Sequence, residues 1–151
     1  MLGCHLVPYP TQGKPGAQMT PAIFCILLAA IMPIVCAGLA KRGAFGIPRS
    51  QGGYDNLDPR GWLERQEGAR KWANNAQANS WEALPFFGLA VLSTHLLVGP
   101  TLLANVLAVS FIVLRALYVY LYVTGKQAAR SGVWTLAFAA NVAIFLIPVF
   151  R

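Results

Sequence analysis

The chain has 151 residues, of which 56% are hydrophobic and only 11% are charged. A soluble domain carries about a quarter charged residues, so this composition disfavours a soluble fold and indicates a membrane protein. The net charge of +7 raises the question of nucleic-acid binding. We predict no nucleic-acid partner, because the basic residues are concentrated between apolar segments and no basic helix or aromatic platform outside the membrane accompanies them.

The N-terminal part of the chain divides into a polar tail and an apolar segment. Residues 1–18 mix proline, glycine and polar residues without periodicity, which predicts a flexible tail. Residues 19–40 are apolar throughout and long enough to cross a bilayer. A cleaved signal peptide is the alternative, since the segment ends in small residues. It is disfavoured because the apolar run exceeds the usual length and no basic cluster leads directly into it.

A long polar connection follows, over residues 41–65. It contains turn-forming pairs such as Asp58-Pro59 and is typical of an ordered or semi-ordered loop. We predict that the second helix begins between Pro59 and Trp62 and continues through Leu97, because the polar start runs directly into an apolar stretch.

Two short uncharged or weakly charged turns then separate two further apolar segments. The sequence therefore predicts an all-α membrane protein, a four-transmembrane-helix bundle in one domain over residues 19–151. Its predicted spans are about 19–40, 66–98, 102–124 and 131–150.

Lysine and arginine are distributed unevenly among the connections. Seven lie between the first span and the apolar part of the second, which begins at Trp81. None lie between the second and third spans, and two lie between the third and fourth. With four spans the two basic connections share one side, which the positive-inside rule makes cytoplasmic. We expect a multi-pass protein with both termini outside. A bacterial inner membrane is favoured over the endoplasmic reticulum, because we recognise no processing signal.

Polar side chains follow one face of the second helix. At about 100° per residue, Trp72, Asn75, Asn79 and Glu82 form a stripe that Phe86 continues. A carboxylate and amides are costly when they face lipid, so we expect the stripe to face the bundle or a wet cavity. Two interpretations remain open, namely hydrogen bonds that hold the helices together and a functional polar pocket.

The third span carries Arg115, Tyr118 and Tyr122 on one face. A guanidinium inside a membrane is costly unless it is paired, and Glu82 is the only carboxylate in the apolar part of any predicted span. We therefore predict an ion pair between Arg115 and Glu82, within or across subunits. The pair could serve chemistry or fix the register of the helices.

The fourth span begins near Arg130, which shares a stripe with Trp134, Ala137 and Asn141. The four-span topology brings polar groups of spans two, three and four together near the cytoplasmic end, with Arg115 deeper. These groups belong to Asn75, Asn79, Glu82, Tyr118, Tyr122 and Arg130. Arginine forks bind carboxylates, and hydroxyl groups stabilise a thiolate, so the pocket would suit a small anionic ligand. We predict no metal site, because His95 has no second histidine within reach.

The order of these motifs resembles a known family. The motifs are Asn79-x-x-Glu82-x-x-Pro85, Arg115-x-x-Tyr118-x-x-x-Tyr122 and Arg130-Ser131. Together they resemble the MAPEG family, the membrane-associated proteins in eicosanoid and glutathione metabolism. Residues 76–79 followed by the glutamate are similar to the uncharacterised bacterial branch. The likeness covers residues 19–150.

The resemblance implies a homotrimer that binds glutathione between subunits near the cytoplasmic face. The glutathione would serve as co-substrate for transfer to a lipophilic electrophile or for reduction of a lipid hydroperoxide. Arg130 and Ser131 would be the catalytic residues that activate its sulfur. The implied glutathione-binding residues are Asn75, Asn79, Glu82, Arg115, Tyr118 and Tyr122.

The chain departs from the family pattern at two positions. Asn75 and Ala78 stand where eicosanoid-forming members carry arginines, so eicosanoid synthesis is not supported. The alternative function is a non-enzymatic membrane module that binds a lipid or a partner protein. A transporter is disfavoured, because four spans without an internal repeat offer little machinery for alternating access.

Overall fold

The computed structural model describes residues 19–151, so the tail predicted at 1–18 lies outside the described part of the chain. Between residues 19 and 151 the regular secondary structure is entirely helical. The α-helices are α1 (Pro21–Lys41), α2 (Pro59–Glu64), α3 (Gly68–Leu97), α4 (Leu102–Val123) and α5 (Gln127–Leu146). Short 3-10 helices lie at Arg49–Gln51 and Ile147–Phe150.

Threonine caps define where α1 and α4 begin. The Thr20 hydroxyl accepts a hydrogen bond from the Ile23 amide at 3.2 Å, and the Thr101 hydroxyl accepts one from the Ala104 amide at 3.1 Å. Pro21 occupies the first turn of α1, where its missing N–H is not needed. Local capping therefore explains why these two helices begin at the ends of their apolar segments.

The prediction of one continuous helix from Pro59 to Leu97 is wrong, because α2 and α3 are separate helices. The side-chain amide of Gln66 donates a hydrogen bond to the Trp62 carbonyl at 2.9 Å and so caps the end of α2. Gly68 has a φ of 57°, a left-handed conformation that interrupts a right-handed helix. The backbone therefore turns between Arg65 and Gly68 before α3 begins.

The four long helices pack as a bundle with α3 and α4 at its centre. The first helix α1 packs on α3 and α4, and α5 packs on the opposite side of the same pair. Small buried residues such as Ala29 on α1 and Ala90 on α3 allow close approach of the helices. Phe87 of α3 and Phe111 of α4 stack with their ring centroids 4.1 Å apart in this core.

Three segments are long and apolar enough to cross a membrane, namely α1, α4 and residues 127–150 of α5 with its 3-10 extension. These spans make the chain an integral membrane protein. The central helix α3 has 30 residues and lies against all three. Its polar first half directs the amide of Asn79 and the hydroxyl of Ser80 towards α4.

The connection between α1 and α3 folds over the end of the bundle. The Arg70 guanidinium donates to the Arg42 carbonyl at 3.3 Å, and it lies 6.0 Å from the Trp62 ring centroid. Tyr54 packs edge-on against Trp62 at 5.2 Å. Aromatic and basic side chains thus hold this loop beside the first turn of α3.

Candidate functional site

The most buried charge of the bundle is Arg115 on α4, whose side chain is only 3% exposed. Its guanidinium donates to Asn79 Oδ1 at 2.8 Å and to Ser80 Oγ at 3.1 Å. It also lies 4.5 Å from the ring centroid of Tyr118. These contacts stabilise a buried cation and link α4 to α3.

The predicted ion pair between Arg115 and Glu82 is not formed within the chain. Asn79 lies between the two groups, because its Oδ1 accepts from Arg115 and its Nδ2 donates to Glu82 Oε2 at 3.3 Å. Glu82 lies on the exposed side of α3, where its carboxylate keeps access to the surroundings. Within residues 19–151 the two salt bridges are Arg49–Asp55 and Arg65–Asp58, both near the loop.

Ser80 is a partner of Arg115 that the sequence interpretation missed. Ala73, Ala76 and Ser80 are buried at helical spacing on α3, which brings this face close to its neighbours. The Ser80 hydroxyl donates to the Ala76 carbonyl at 2.7 Å and accepts from Arg115. The run of small residues at i, i+3 and i+7 was the signal that could have identified this face.

The expected inward stripe on α3 is only partly correct. Asn79 is half-buried and Glu82 borders a cavity, but Trp72 and Asn75 are exposed on the outer surface of the single chain. The reason is that small residues allow closer helix packing than tryptophan and amides do. The polar stripe therefore lies at the edge of the packed face.

A cavity of about 140 Å³ opens between α3, α4 and α5, and we call it the inner cavity. Its polar lining includes Glu82 and Arg115, and its apolar wall is largely aromatic. It is lined by Asn79, Glu82, Ala83, Phe86, Phe111, Arg115, Trp134, Ala137, Phe138 and Asn141.

A second cavity of about 270 Å³ lies between α4 and the first turns of α5, and we call it the outer cavity. The Arg130 guanidinium lies 4.2 Å from the Tyr122 ring centroid, and Tyr118 packs edge-on against Tyr122 at 5.5 Å. Its lining residues are Tyr118, Tyr122, Arg130, Ser131, Trp134 and Thr135. Trp134 lines both cavities, so the two adjoin.

The tight turn before α5 positions Arg130 and Ser131. Gly125 has a φ of 74°, and a Cβ atom there would lie 3.1 Å from the Trp72 ring. This close approach lets the start of α3 pack against the turn, which glycine alone accommodates without strain. The Ser131 hydroxyl donates to the Gln127 carbonyl at 3.3 Å, which is a long hydrogen bond.

The structure thus divides the predicted site residues into three groups. Asn79, Glu82 and Arg115 line the inner cavity. The tyrosines at 118 and 122, together with Arg130 and Ser131, line the outer cavity. Asn75 lines neither of these cavities. Aromatic residues of the inner cavity, such as Phe111 and Phe138, were not predicted as site residues.

The ionisable lining of the two cavities favours a ligand with excess negative charge. The inner cavity contains the Arg115 guanidinium and the Glu82 carboxylate, and the outer cavity contains the Arg130 guanidinium. Each guanidinium carries five N–H donors, and Arg115 uses donors from two of its nitrogens within the chain. The arrangement can bind carboxylates through the arginines and an ammonium group through the glutamate.

Comparison with known families identifies the architecture. The MAPEG family model matches residues 21–150. The chain belongs to the MAPEG family. This finding confirms the resemblance predicted from the ordered motifs on α3, α4 and α5. Comparisons with curated proteins and with solved structures gave no match.

MAPEG membership also confirms the predicted fold class, because this family is a helical membrane bundle. The family includes glutathione-dependent transferases and peroxidases. The glutathione-binding and catalytic roles of individual residues in this MAPEG chain stay predictions. The two cavities define where each of these residues would act.

Proposed function

We propose that this MAPEG protein is a homotrimeric membrane enzyme that uses glutathione as co-substrate. It acts as a transferase on lipophilic electrophiles or as a peroxidase on lipid hydroperoxides. The observation that carries the proposal is the placement of Arg115 and Arg130 in adjoining cavities, with one carboxylate, Glu82, in the inner cavity. Glutathione carries two carboxylates and one ammonium group, and this charge pattern complements that lining.

The donor set of the site is compatible with the parts of glutathione. Glu82 is exposed and accepts one weak hydrogen bond from Asn79, so it has capacity to accept from an ammonium group. The Arg130 guanidinium lies over Tyr122 and offers N–H donors at the outer cavity. Amide groups of the peptide would face Asn79 and the Tyr118 hydroxyl.

The proposed chemistry begins with the thiol group of glutathione near Arg130 and Ser131. A neighbouring guanidinium favours the thiolate, and the long Ser131–Gln127 bond lets the hydroxyl turn towards sulfur at little cost. In conjugation, the thiolate forms a sulfur–carbon bond while the leaving group departs with the electron pair. In peroxide reduction, two glutathione molecules are oxidised to the disulfide, and the hydroperoxide is reduced to an alcohol and water.

Exposed polar residues on α3 support the proposal that the chain forms an oligomer. Trp72, Asn75 and Glu82 lie on the outside of the single chain. Carboxylate and amide groups are costly in contact with acyl chains. A neighbouring subunit that covers this face would remove that cost, and it would close the open side of the inner cavity.

The outer cavity lies at the basic end of the bundle. Lys41, Arg70 and Lys126 lie at the helix ends on this side, with Arg130 one turn into α5. We propose that this end faces the cytoplasm, as the positive-inside rule requires, and that the host is a bacterial inner membrane. Cytoplasmic glutathione would then reach the outer cavity directly.

The test uses purified protein in detergent. Glutathione binding is measured by calorimetry, conjugation is assayed with 1-chloro-2,4-dinitrobenzene, and peroxide reduction is assayed with cumene hydroperoxide. We expect Arg130→Ala to lower kcat/KM by about a hundredfold, because a positioned electrostatic group contributes roughly that much. Arg60→Ala removes an exposed arginine outside both cavities and is the matched control.

Absence of binding and turnover at millimolar glutathione would refute the proposed function. Equal loss of turnover in the Arg130→Ala and Arg60→Ala variants would refute the catalytic role of Arg130 but not the proposed function.

The second candidate is a non-enzymatic membrane module that binds a lipid or a protein. It is favoured by Arg115, whose guanidinium bonds to Asn79 and Ser80 and lies on Tyr118, as a structural cross-link would. This candidate expects that Arg115→Leu or Glu82→Gln dissociates the oligomer, whereas Arg130→Ala and Tyr122→Phe change nothing. Loss of a glutathione response in an intact Arg130→Ala trimer would exclude it.

A further inference from the structure

Three basic residues meet at the turn that follows α1, and we call them the basic corner. Lys41 is the last residue of α1, and Arg42 caps its end. The Arg70 guanidinium donates to the Arg42 carbonyl at 3.3 Å, which brings a third cation from the first turn of α3. The two salt bridges within residues 19–151 use Arg49 and Arg65, so in this part of the chain no carboxylate pairs with the basic corner. Like charges held together in this way repel one another and attract an anion.

The basic corner lies at the boundary of the membrane. The span α1 packs on α3 and α4 with one side, and its exposed residues Ile31 and Val35 lie away from them. Arg42 follows Val35 by seven residues, about two helical turns, and is itself exposed. Its side chain therefore begins at the edge of the lipid-facing surface, where long basic side chains reach the headgroups.

An exposed aromatic ring is fixed beside these cations. Phe45 is 63% exposed, and its ring packs against Tyr54 at 5.5 Å. The Tyr54 amide donates to the Ala44 carbonyl at 2.9 Å, and the Lys41 ammonium lies 4.4 Å from the centroid of the Tyr54 ring. Tyr54 thus holds Phe45 close to Lys41. Aromatic rings beside basic groups are typical of the headgroup region of a membrane, where the ring leaves water.

These features together define the chemistry of an occupant. The uncompensated charge of the basic corner requires an anion, and the exposed ring of Phe45 requires an apolar group next to that anion. A soluble anion would satisfy the charge but would leave the ring in water. An amphiphile with an anionic headgroup satisfies both, and the membrane surface beside α1 is where such molecules are concentrated.

We propose that the basic corner binds the headgroup of an anionic phospholipid. The phosphate accepts hydrogen bonds from Lys41, Arg42 and Arg70, and Phe45 contacts the glycerol and the upper acyl chain. Arg70 also donates to Gln66 at 3.3 Å, and its guanidinium has five N–H donors, so donors remain for a phosphate. None of these residues lines the inner or the outer cavity, so the lipid site is separate from the glutathione site.

The test counts lipids bound to the purified protein in dodecyl maltoside by native mass spectrometry. The protein is incubated with equal amounts of palmitoyl-oleoyl phosphatidylglycerol, which is anionic, and palmitoyl-oleoyl phosphatidylcholine, which has no net charge. We expect the wild type to retain phosphatidylglycerol in about tenfold preference, and Arg42→Gln to lower this preference about fivefold, since one basic group beside an anionic surface contributes roughly that factor. The matched control is Lys126→Gln, which removes an exposed lysine of the turn between α4 and α5 and should preserve the preference.

Two further measurements distinguish a lipid from a soluble anion. Phe45→Ser keeps the charges and removes the apolar contact, so retention of phosphatidylglycerol should fall about fivefold. Millimolar glycerol phosphate, which has the anion without the acyl chains, should leave the bound lipid in place. Complete displacement by glycerol phosphate would assign the site to a soluble anion and overturn the proposal.

Equal retention of the two lipids by the wild type, equal losses in Arg42→Gln and Lys126→Gln, or an unchanged retention in Phe45→Ser would also overturn it. The measurement omits glutathione, so its outcome is independent of whether the protein binds glutathione or turns it over.

Discussion

The two ends of the bundle differ in how their polar side chains are hydrogen-bonded. At the end that holds the N-terminus of α1, the Thr20 hydroxyl lies 2.8 Å from His95 Nε2, and Asn105 Oδ1 accepts from the Ala22 amide at 3.1 Å. These bonds join α1 to α3 and α4. At the basic end, Arg115 joins α3 to α4, but Glu82 and Arg130 line open cavities.

At the end that holds the N-terminus of α1, polar side chains pair with one another or with backbone carbonyl groups. His95 Nδ1 donates to the Val91 carbonyl at 2.9 Å, so Nε2 accepts from Thr20 in that tautomer. Thr94 is fully buried, and its hydroxyl donates to the Ile144 carbonyl at 2.8 Å. Polar groups with such saturated bonds hold helices together. Polar groups that keep free donors and acceptors beside a cavity are available to a ligand.

The largest expected effect concerns Arg115, which both joins two helices and lines the inner cavity. Arg115→Ala removes two hydrogen bonds to a charged group, worth roughly 1.5 kcal/mol each, so we expect a loss of about 3 kcal/mol in unfolding free energy. Circular dichroism during titration with sodium dodecyl sulfate in mixed micelles measures it. Arg60→Ala, an exposed control, should change the unfolding free energy little. Equal stability of the two variants would remove Arg115 as a link between helices.

A smaller effect is expected at the closed end. Thr94→Val keeps the shape of the side chain but leaves the Ile144 carbonyl without its partner, so stability should fall by about 1–2 kcal/mol. Because Thr94 lines neither cavity, kcat/KM should stay the same. The control is Thr124→Val, where the hydroxyl is on an exposed residue. A fall in kcat/KM without loss of stability would contradict the separation of the two ends.

The two threonine caps offer a finer comparison. Thr20→Ala should cost about 1 kcal/mol for the lost cap and slightly more for the bond to His95. Thr101→Ala removes a cap alone. The difference between the two unfolding free energies, measured in the same micelles, isolates the His95 contribution. A larger cost at Thr101 would mean that the histidine bond adds no stability.

The smallest effect is expected at Tyr122, whose ring lies beneath the Arg130 guanidinium. Tyr122→Leu removes the ring beneath the guanidinium, worth about 0.5–1 kcal/mol, so kcat/KM for glutathione should fall about two- to fivefold. Tyr122→Phe keeps the ring and should behave like wild type, and Tyr120→Leu is an exposed control on the same helix. If the phenylalanine variant loses as much activity as the leucine variant, the hydroxyl rather than the ring is required.

Much of the architecture was predictable from local signals. The lengths of the apolar segments and the threonines at positions 20 and 101 indicate where α1 and α4 begin. The order of motifs from Asn79 to Ser131 indicates the family. The break before Gly68 was missed, because a side-chain cap from Gln66 to the Trp62 carbonyl is not visible in hydrophobic periodicity.

The partner of Arg115 could not be read from residue types. Charge alone favoured Glu82, but the guanidinium bonds to Asn79 and Ser80 because those side chains are the ones that α3 directs towards α4. Likewise, the stripe that includes Asn141 was visible in the sequence, but the missing partner of its carbonyl was not.

The sequence by itself determined that this chain is a four-helix membrane protein of the MAPEG family, because hydrophobic length, capping residues and motif order are local properties of the chain. Only the tertiary structure decided which polar groups satisfy one another and which stay available beside the two cavities. That decision depends on the close approach of α3, α4 and α5 at their small residues, since a hydrogen bond forms or fails over less than an ångström.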